Sequence, residues 1–214
     1  MATILCLHGL GGTGSTMQPL VHGLAALGHT VHAPTLPGHG TTPDDLHGIT
    51  WHDWLAAAEQ ALADTGATVV VGQSMGGDLA LALAARRLCT KVVAINPPPP
   101  DLDAVDGLEW QISRGMHWVE GPPLGDGEDG YTRFPTAALL QMVDGVLAIG
   151  LAGITVPVLL VTSALDDVVD PFSADIVAAG LAGEVQRLVL PSSGHVATHG
   201  PDRELLIAAI HAFV

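Results

Sequence analysis

TVVVGQSMGGDLALALAARR, residues 68–87, is the stretch on which the reading of this chain turns. A β-branched run, Thr68 to Val71, passes without a loop into Ala/Leu-rich sequence of helical length, so Gly72-Gln73-Ser74-Met75-Gly76 falls at a strand-to-helix corner. A serine lifted on so tight a turn needs small neighbours two positions before and after it, because a Cβ there would collide across the turn. Gly72 and Gly76 meet that need. The pattern is that of an exposed nucleophile. The plainer alternative is a glycine-rich βα turn with a bystander serine, and the strand before and helix after weigh against it. Asp78, in the first helical turn, is explained by the helix macrodipole.

Outward from this corner, apolar β-branched runs recur at 2–9, 30–36, 91–97, 156–165 and 185–193, each readable as a short buried strand. Helical stretches are expected at roughly 16–28, 51–65, 76–88, 136–149, 171–182 and 201–213. Strand and helix therefore alternate, which predicts a mostly parallel sheet with helices on both faces. The alternation fails once. Four prolines, Pro97 to Pro100, lead into about 55 residues that hold Trp110, Met116, Trp118 and the acidic run EGPPLGDGEDG. We read residues 97–155 as an insertion capping a core made of 1–96 and 156–214. No internal repeat is visible.

With 48% apolar and 14% charged residues in 214, the chain has ample material for one core. Its 7 basic and 22 acidic residues leave a net charge near -15 with no basic stripe, so nucleic acid and anionic membrane surfaces are not expected partners. Before Arg86 there is no Lys or Arg to grip a phosphate. Cys6 and Cys89 form neither a C-x-x-C pair nor a disulfide framework and read as buried thiols. The opening MATILCLHGLGG lacks the basic and long apolar regions of a signal peptide, which points to the cytoplasm. Gly145 to Leu165 is uncharged over 21 residues, long enough to span a membrane, but three glycines and Pro157 break it into a helix end and a strand. Nothing in the sequence specifies an oligomeric state.

Two further strands end in chemistry. VPVLLVTSAL is followed by Asp166-Asp167-Val168-Val169-Asp170, and VQRLVLPSS by Gly194-His195. In an open parallel sheet the carboxyl ends of the strands share one edge, so Ser74, an acid and His195 can converge there. Asp166 is the first choice, because it follows the strand directly and precedes a valine pair that would tuck into the core; Asp167 is the second. Asp170, before Pro171, reads as the N-cap of a helix with proline at its first position. Most of the 11 histidines must be ordinary packing or surface residues, and His195 stands out by position. His199, four residues on, could pair with it on a metal, but no H-E-x-x-H and no third ligand accompany them.

The first strand ends in His8-Gly9-Leu10-Gly11-Gly12, whose small residues free backbone N–H groups to face an anion. HGLGG, PGHG at 37–40, GQSMGG, ALDDVVDP and SGHV together resemble the α/β-hydrolase superfamily, most closely compact bacterial carboxylesterases and monoacylglycerol-lipase-like serine hydrolases, over nearly the whole chain. The resemblance implies an α/β-hydrolase fold with a minimal sheet of about six strands and a small cap. It also implies Ser74 as nucleophile, His195 as general base, Asp166 as the acid orienting it, and an oxyanion hole from the N–H groups of Leu10 and Met75. No cofactor and no metal are implied. Three departures stand out: the family's leading antiparallel strands have no counterpart before HGLGG, Ser163 replaces a frequent glycine, and the cap is short.

The expected reaction is hydrolysis of carboxylic esters with short to medium acyl chains through an acyl-enzyme on Ser74. Trp110, Met116, Trp118, Leu139, Leu140 and Met142 are expected to line the acyl pocket, with plain cap-to-core packing as their other reading. The same triad serves thioesterases, lactonases, C–C hydrolases and perhydrolases, and a non-catalytic relative would keep the pocket as a receptor. A dinucleotide enzyme is the rival from another class, since Gly9 to Gly14 satisfies G-x-G-x-x-G. It lacks the acid or arginine that should follow the second strand, where no Asp or Glu occurs before Asp44.

Overall fold

A computed structural model describes residues 1–125, 128–170 and 172–214. Six parallel strands form the main sheet: β1 (Thr3–Leu7), β2 (Thr30–His32), β3 (Val69–Gln73), β4 (Lys91–Ile95), β7 (Val158–Ser163) and β8 (Val185–Leu190). Their order across the sheet is β2-β1-β3-β4-β7-β8. Successive side chains on a strand point to opposite faces. Leu5, Leu7, Val70, Val92, Ala94, Val158 and Leu160 therefore enter one core layer, and Ile4, Cys6, Val69, Val71, Val93, Leu159 and Val161 the other. Four helices cover the first layer: α2 (Trp51–Thr65), α3 (Met75–Ala85), α5 (Thr136–Leu147) and α6 (Ser173–Gly180). The second is covered by α1 (Gln18–Ala26) and α7 (Arg203–Phe213). The four central strands β1, β3, β4 and β7 are thus buried on both faces, which is why they read as continuous apolar runs, while the edge strands β2 and β8 stay partly exposed.

The edge strand β2 is shorter than the apolar run 30–36 suggested. Pro34 and Pro37 lack the N–H that would extend the ladder. The long apolar segment at 145–165 divides as its glycines and proline require, into the end of α5, a turn at Leu151–Gly153 and strand β7. Among the described residues no helix is long and apolar enough to cross a membrane.

Between β4 and β7 the chain adds α4 (Leu102–Ser113), a two-stranded antiparallel hairpin of β5 (Trp118–Glu120) and β6 (Arg133–Pro135), and α5. Asp101 starts α4 by accepting hydrogen bonds from the N–H groups of Asp103 and Ala104 (2.9 and 3.2 Å). Helix α4 and the hairpin were not foreseen; α4 is acidic and buries only Leu108, so it lacks the apolar run that marked the other helices.

Pro171 lies outside the described residues, as do Asp126 and Gly127 of the acidic run. The helix expected after Asp170 begins at Ser173, with Phe172 as its N-cap. The Asp170 carboxylate instead accepts from the Phe172 N–H (2.9 Å), and its carbonyl from the Ser173 N–H (2.8 Å), so it shapes the turn leading into the helix.

Candidate active site

The chain leaves β1 towards β2 on one side and returns to β3 on the other, so a crevice opens at the carboxyl edge between β1 and β3. Ser74 stands there, between β3 and α3, with φ 55° and ψ -127°. A Cβ on Gly72 would overlap the Gly76 carbonyl, as a turn this tight demands. One on Gly76 would instead overlap the Leu7 carbonyl of the neighbouring strand. The Ser74 N–H donates to the Ile95 carbonyl (2.8 Å), which anchors the corner to β4. Helix α3 is buried along ten of its eleven residues and holds the corner from behind.

His195 Nδ1 donates to Asp166 Oδ2 and Oδ1 (2.9 and 3.0 Å). A carboxylate only accepts, so Nδ1 carries a proton, and in the neutral imidazole the lone pair is on Nε2. Asp166 Oδ1 also accepts from the N–H groups of Val168 and Val169 (both 2.9 Å), and its side chain is 2% exposed. Burial pushes this carboxyl up. The hydrogen bond and positive charge of His195 and the two valine amides outweigh that, and the group is held below the ordinary carboxylate range. Asp167 is exposed and makes no such contact among the described residues.

Gly9 to Gly12 form a turn closed by the Gly12 N–H on the Gly9 carbonyl (3.1 Å), with Gly11 at φ +80°, a conformation that favours glycine. His8 locks it from below. Its Nδ1 donates to the Gly9 carbonyl (2.8 Å) and its Nε2 accepts from the Leu36 N–H (2.9 Å), which fixes a neutral tautomer. Leu10, at the second turn position, lines the cavity beside Ser74. The Met75 N–H is the first of α3, one of the helix-start amides without an intrahelical acceptor.

Gln73, 2% exposed, turns its Oε1 to the Thr198 N–H (3.2 Å), and Thr198 Oγ1 donates to the Thr16 carbonyl (2.9 Å). The loop after His195 is thereby pinned to the elbow and to the first loop. Sequence reading passed over Gln73. Its signal was a polar side chain at the buried end of an apolar strand, a place where a partner is required.

Ser74, Leu10 and His195 share a cavity of about 480 Å³. Of the six residues expected to line it, Leu139 and Met142 do so; Trp110, Met116, Trp118 and Leu140 do not. Trp110 is 56% exposed with the Arg114 guanidinium over its ring, and Trp118 lies between Arg133 and His47. Trp110 is used on the outer surface, whereas Trp118 packs edge-on against His47, the packing against the core that was its other reading. Phe134, Tyr131 and Val143 are walls that the sequence did not single out, and Val168 and Val169, expected to tuck into the core, line the cavity instead, with Val168 48% exposed.

The segment between β4 and β7 is fastened to the first loop. Asp129 Oδ2 accepts from Ser15 Oγ (2.9 Å) and Thr13 Oγ1 (3.2 Å), and its carbonyl from Thr16 Oγ1 (3.2 Å). The Tyr131 N–H donates to the Gly11 carbonyl (2.9 Å) and its hydroxyl to the Gly38 carbonyl (3.1 Å). A Cβ on Gly130 would come within 2.6 Å of the Gly11 carbonyl. No three His, Cys, Asp or Glu side chains among the described residues are grouped to hold a metal.

A parallel sheet with a left-handed serine at a strand-to-helix corner, and a His–Asp pair on later loops of the same edge, is the arrangement of an α/β hydrolase. The chain belongs to the alpha/beta hydrolase family, whose model matches residues 4–209. It is 35% identical over 219 residues to a thermostable monoacylglycerol lipase of Bacillus sp. (strain H-257), an alignment covering 95% of this chain and 86% of that one. Among solved structures it is similar to one described with the metagenome-derived lipolytic enzymes LipS and LipT (28% identity, TM-score 0.88, 99% of this chain and 92% of that one). It shares its fold with the monoacylglycerol lipase of Paleococcus ferrophilus (20% identity, TM-score 0.78, 99% and 93% covered).

Proposed function

We propose that this chain hydrolyses carboxylic esters of neutral alcohols, with short to medium acyl chains and monoacylglycerol-type esters among them. The observation that carries the proposal is the His195–Asp166 pair, its Nε2 left as an acceptor, on the cavity that also holds Ser74 and the Leu10 turn. Ser74 Oγ attacks the ester carbonyl while His195 Nε2 takes its proton, and the N–H groups of Leu10 and Met75 receive the negative charge on the carbonyl oxygen. His195 then protonates the leaving alcohol. A water molecule, deprotonated by His195, releases the acyl group and restores Ser74. Asp166 stays ionised throughout and stabilises the imidazolium.

The lining favours esters over anionic thioesters. Asp101, Glu128, Asp129 and Asp170 stand around the cavity, and no Lys or Arg is among its described lining residues. The volume is within the range of small-ligand sites. We place the protein in the cytoplasm, where its buried thiols Cys6 and Cys89 stay reduced. The test is fluorophosphonate labelling with peptide mapping, beside p-nitrophenyl acetate and butyrate turnover by the wild type and Ser74→Ala. Labelling at Ser74, with turnover lost in a folded Ser74→Ala, is expected; full activity in that variant would sink the proposal.

A further inference from the structure

Asn96, directly after β4, is a non-glycine residue at φ +48°, and its side chain is buried at 4% exposure. Its carboxamide is fully engaged. Oδ1 accepts from the Ser163 N–H (2.8 Å), while Nδ2 donates to Ser163 Oγ (3.0 Å) and to the His195 carbonyl (2.9 Å). The orientation is fixed from both ends, because a backbone N–H can only donate and a carbonyl can only accept.

The main chain beside it is tied in as well. The Asn96 N–H donates to the Val161 carbonyl (2.9 Å), and the preceding carbonyl, that of Ile95, receives the Ser74 N–H. Ser163, fully buried, passes the link on, since its carbonyl accepts from the Asp166 N–H (3.3 Å). One residue thus touches the backbone of His195, the strand end that carries Asp166 and, through its neighbour, the backbone of Ser74. A glycine would adopt the same φ without steric cost, so the retained side chain points to a use.

We infer that Asn96 is a positioning residue for ester hydrolysis, fixing His195 relative to Ser74 through its bond to the His195 carbonyl, with Ser163 as its partner. The inference rests on the reading of Ser74, His195 and Asp166 as the reacting groups. It also accounts for Ser163: the serine supplies the hydroxyl that holds the far side of the carboxamide, which glycine would not.

The test compares the wild type with Asn96→Gly, Asn96→Asp and Ser163→Ala. Asn96→Gly relaxes the backbone and removes the bond, and should lower kcat for p-nitrophenyl butyrate by ~10- to 100-fold, as displacement of a reacting group does, with KM within about twofold. Labelling of Ser74 by fluorophosphonate should slow by the same factor, and the downfield proton resonance of His195 Nδ1–H should move or broaden. Asn96→Asp keeps the acceptor for the Ser163 N–H but cannot donate to the His195 carbonyl when ionised. It should follow Asn96→Gly and serves in its place if that variant does not fold. Ser163→Ala leaves the His195 bond and should cost less than either. An Asn96 variant with unchanged kcat and an unchanged His195 resonance would overturn the inference, even if it were less stable to urea. A wild type that neither labels nor turns over would instead refute the proposed function, and the imidazole resonance would still decide whether Asn96 positions His195.

Discussion

Gly9 lies so close to Ser74 that a Cβ built on it would stand 3.0 Å from the serine Cβ and 3.6 Å from its Oγ. The first loop and the elbow are therefore packed backbone to side chain, and a methyl between them must push the Leu10 amide away from where charge would develop. Gly9→Ala is expected to lower kcat by ~10- to 100-fold, a partial loss of the proposed oxyanion donor Leu10. Thermal unfolding should shift by only a few degrees. Ester kinetics beside a melting curve check both statements.

Asp166 and Asp167 adjoin in sequence, but only Asp166 meets His195. Asp166→Asn should cost ~10³- to 10⁴-fold in kcat, because the amide favours the wrong imidazole tautomer. Asp167→Asn should stay within about twofold of the wild type. Steady-state hydrolysis of p-nitrophenyl butyrate separates the two.

Acid should destabilise the fold through two buried histidines under the first loop. Burial lowers His8 to about 3, helped by His39 beside it and opposed by its bond to Gly9. Burial also lowers His39 to about 4 against the Leu36 and Pro37 carbonyls. Both groups fold neutral, so the unfolded chain binds more protons below the ordinary value of 6.5. Stability is then lost as pH falls from there towards the folded values, by about 2–3 kcal/mol per histidine at pH 4.5. Protonating His8 would also break its bond from Leu36. Urea unfolding at pH 7 and 4.5 should show the loss, and His39→Gln should reduce it.

Asp78 should act in the opposite direction. The helix macrodipole expected to explain it favours a charged carboxylate, but burial raises this carboxyl well above the ordinary value, and its Oδ2 has no partner among the described residues. The folded state therefore holds a proton that the unfolded state releases, and stability falls as pH rises towards the folded value. Asp78→Asn should gain on the wild type as pH rises above the ordinary carboxylate value of 3.8, seen as a growing difference in melting temperature. A difference that stays constant would contradict this account.

The cavity wall offers a paired test of substrate range. Met142→Trp adds bulk to a lining residue, and should abolish preference for butyrate over acetate esters while sparing acetate turnover within about threefold. Trp110→Ala removes a larger side chain from outside the cavity and should leave both ratios unchanged. Chain-length profiles of the two variants check this.

What the sequence disclosed and what it hid divide along a physical line. The four central strands were legible because burial on both faces makes them continuous apolar runs, and the Ser74 corner was legible because its turn demands glycine at 72 and the close approach of β1 demands it at 76. Asp166 and His195 follow from strand ends sharing one edge. The cavity lining was harder. Trp110 and Trp118 are large and apolar, yet Trp110 pairs with Arg114 and Trp118 lies between Arg133 and His47, contacts that no local pattern announces. Asn96 joins residues 67 and 99 positions distant, which no local pattern encodes. Its one local sign, a polar residue ending a buried strand, does not name the partner.

The fastening of Asp129 and Tyr131 to Ser15, Thr13 and Gly11 bears on how the molecule could be re-engineered. A cap is the obvious module to exchange between relatives when a new specificity is wanted. Here the module boundary does not coincide with the chain boundary, since the segment that closes the pocket also steadies the turn carrying Leu10. A chimaera made by swapping the insertion alone would alter the chemical step along with substrate choice, unless residues 128–131 or the loop at 9–16 travelled with their mates.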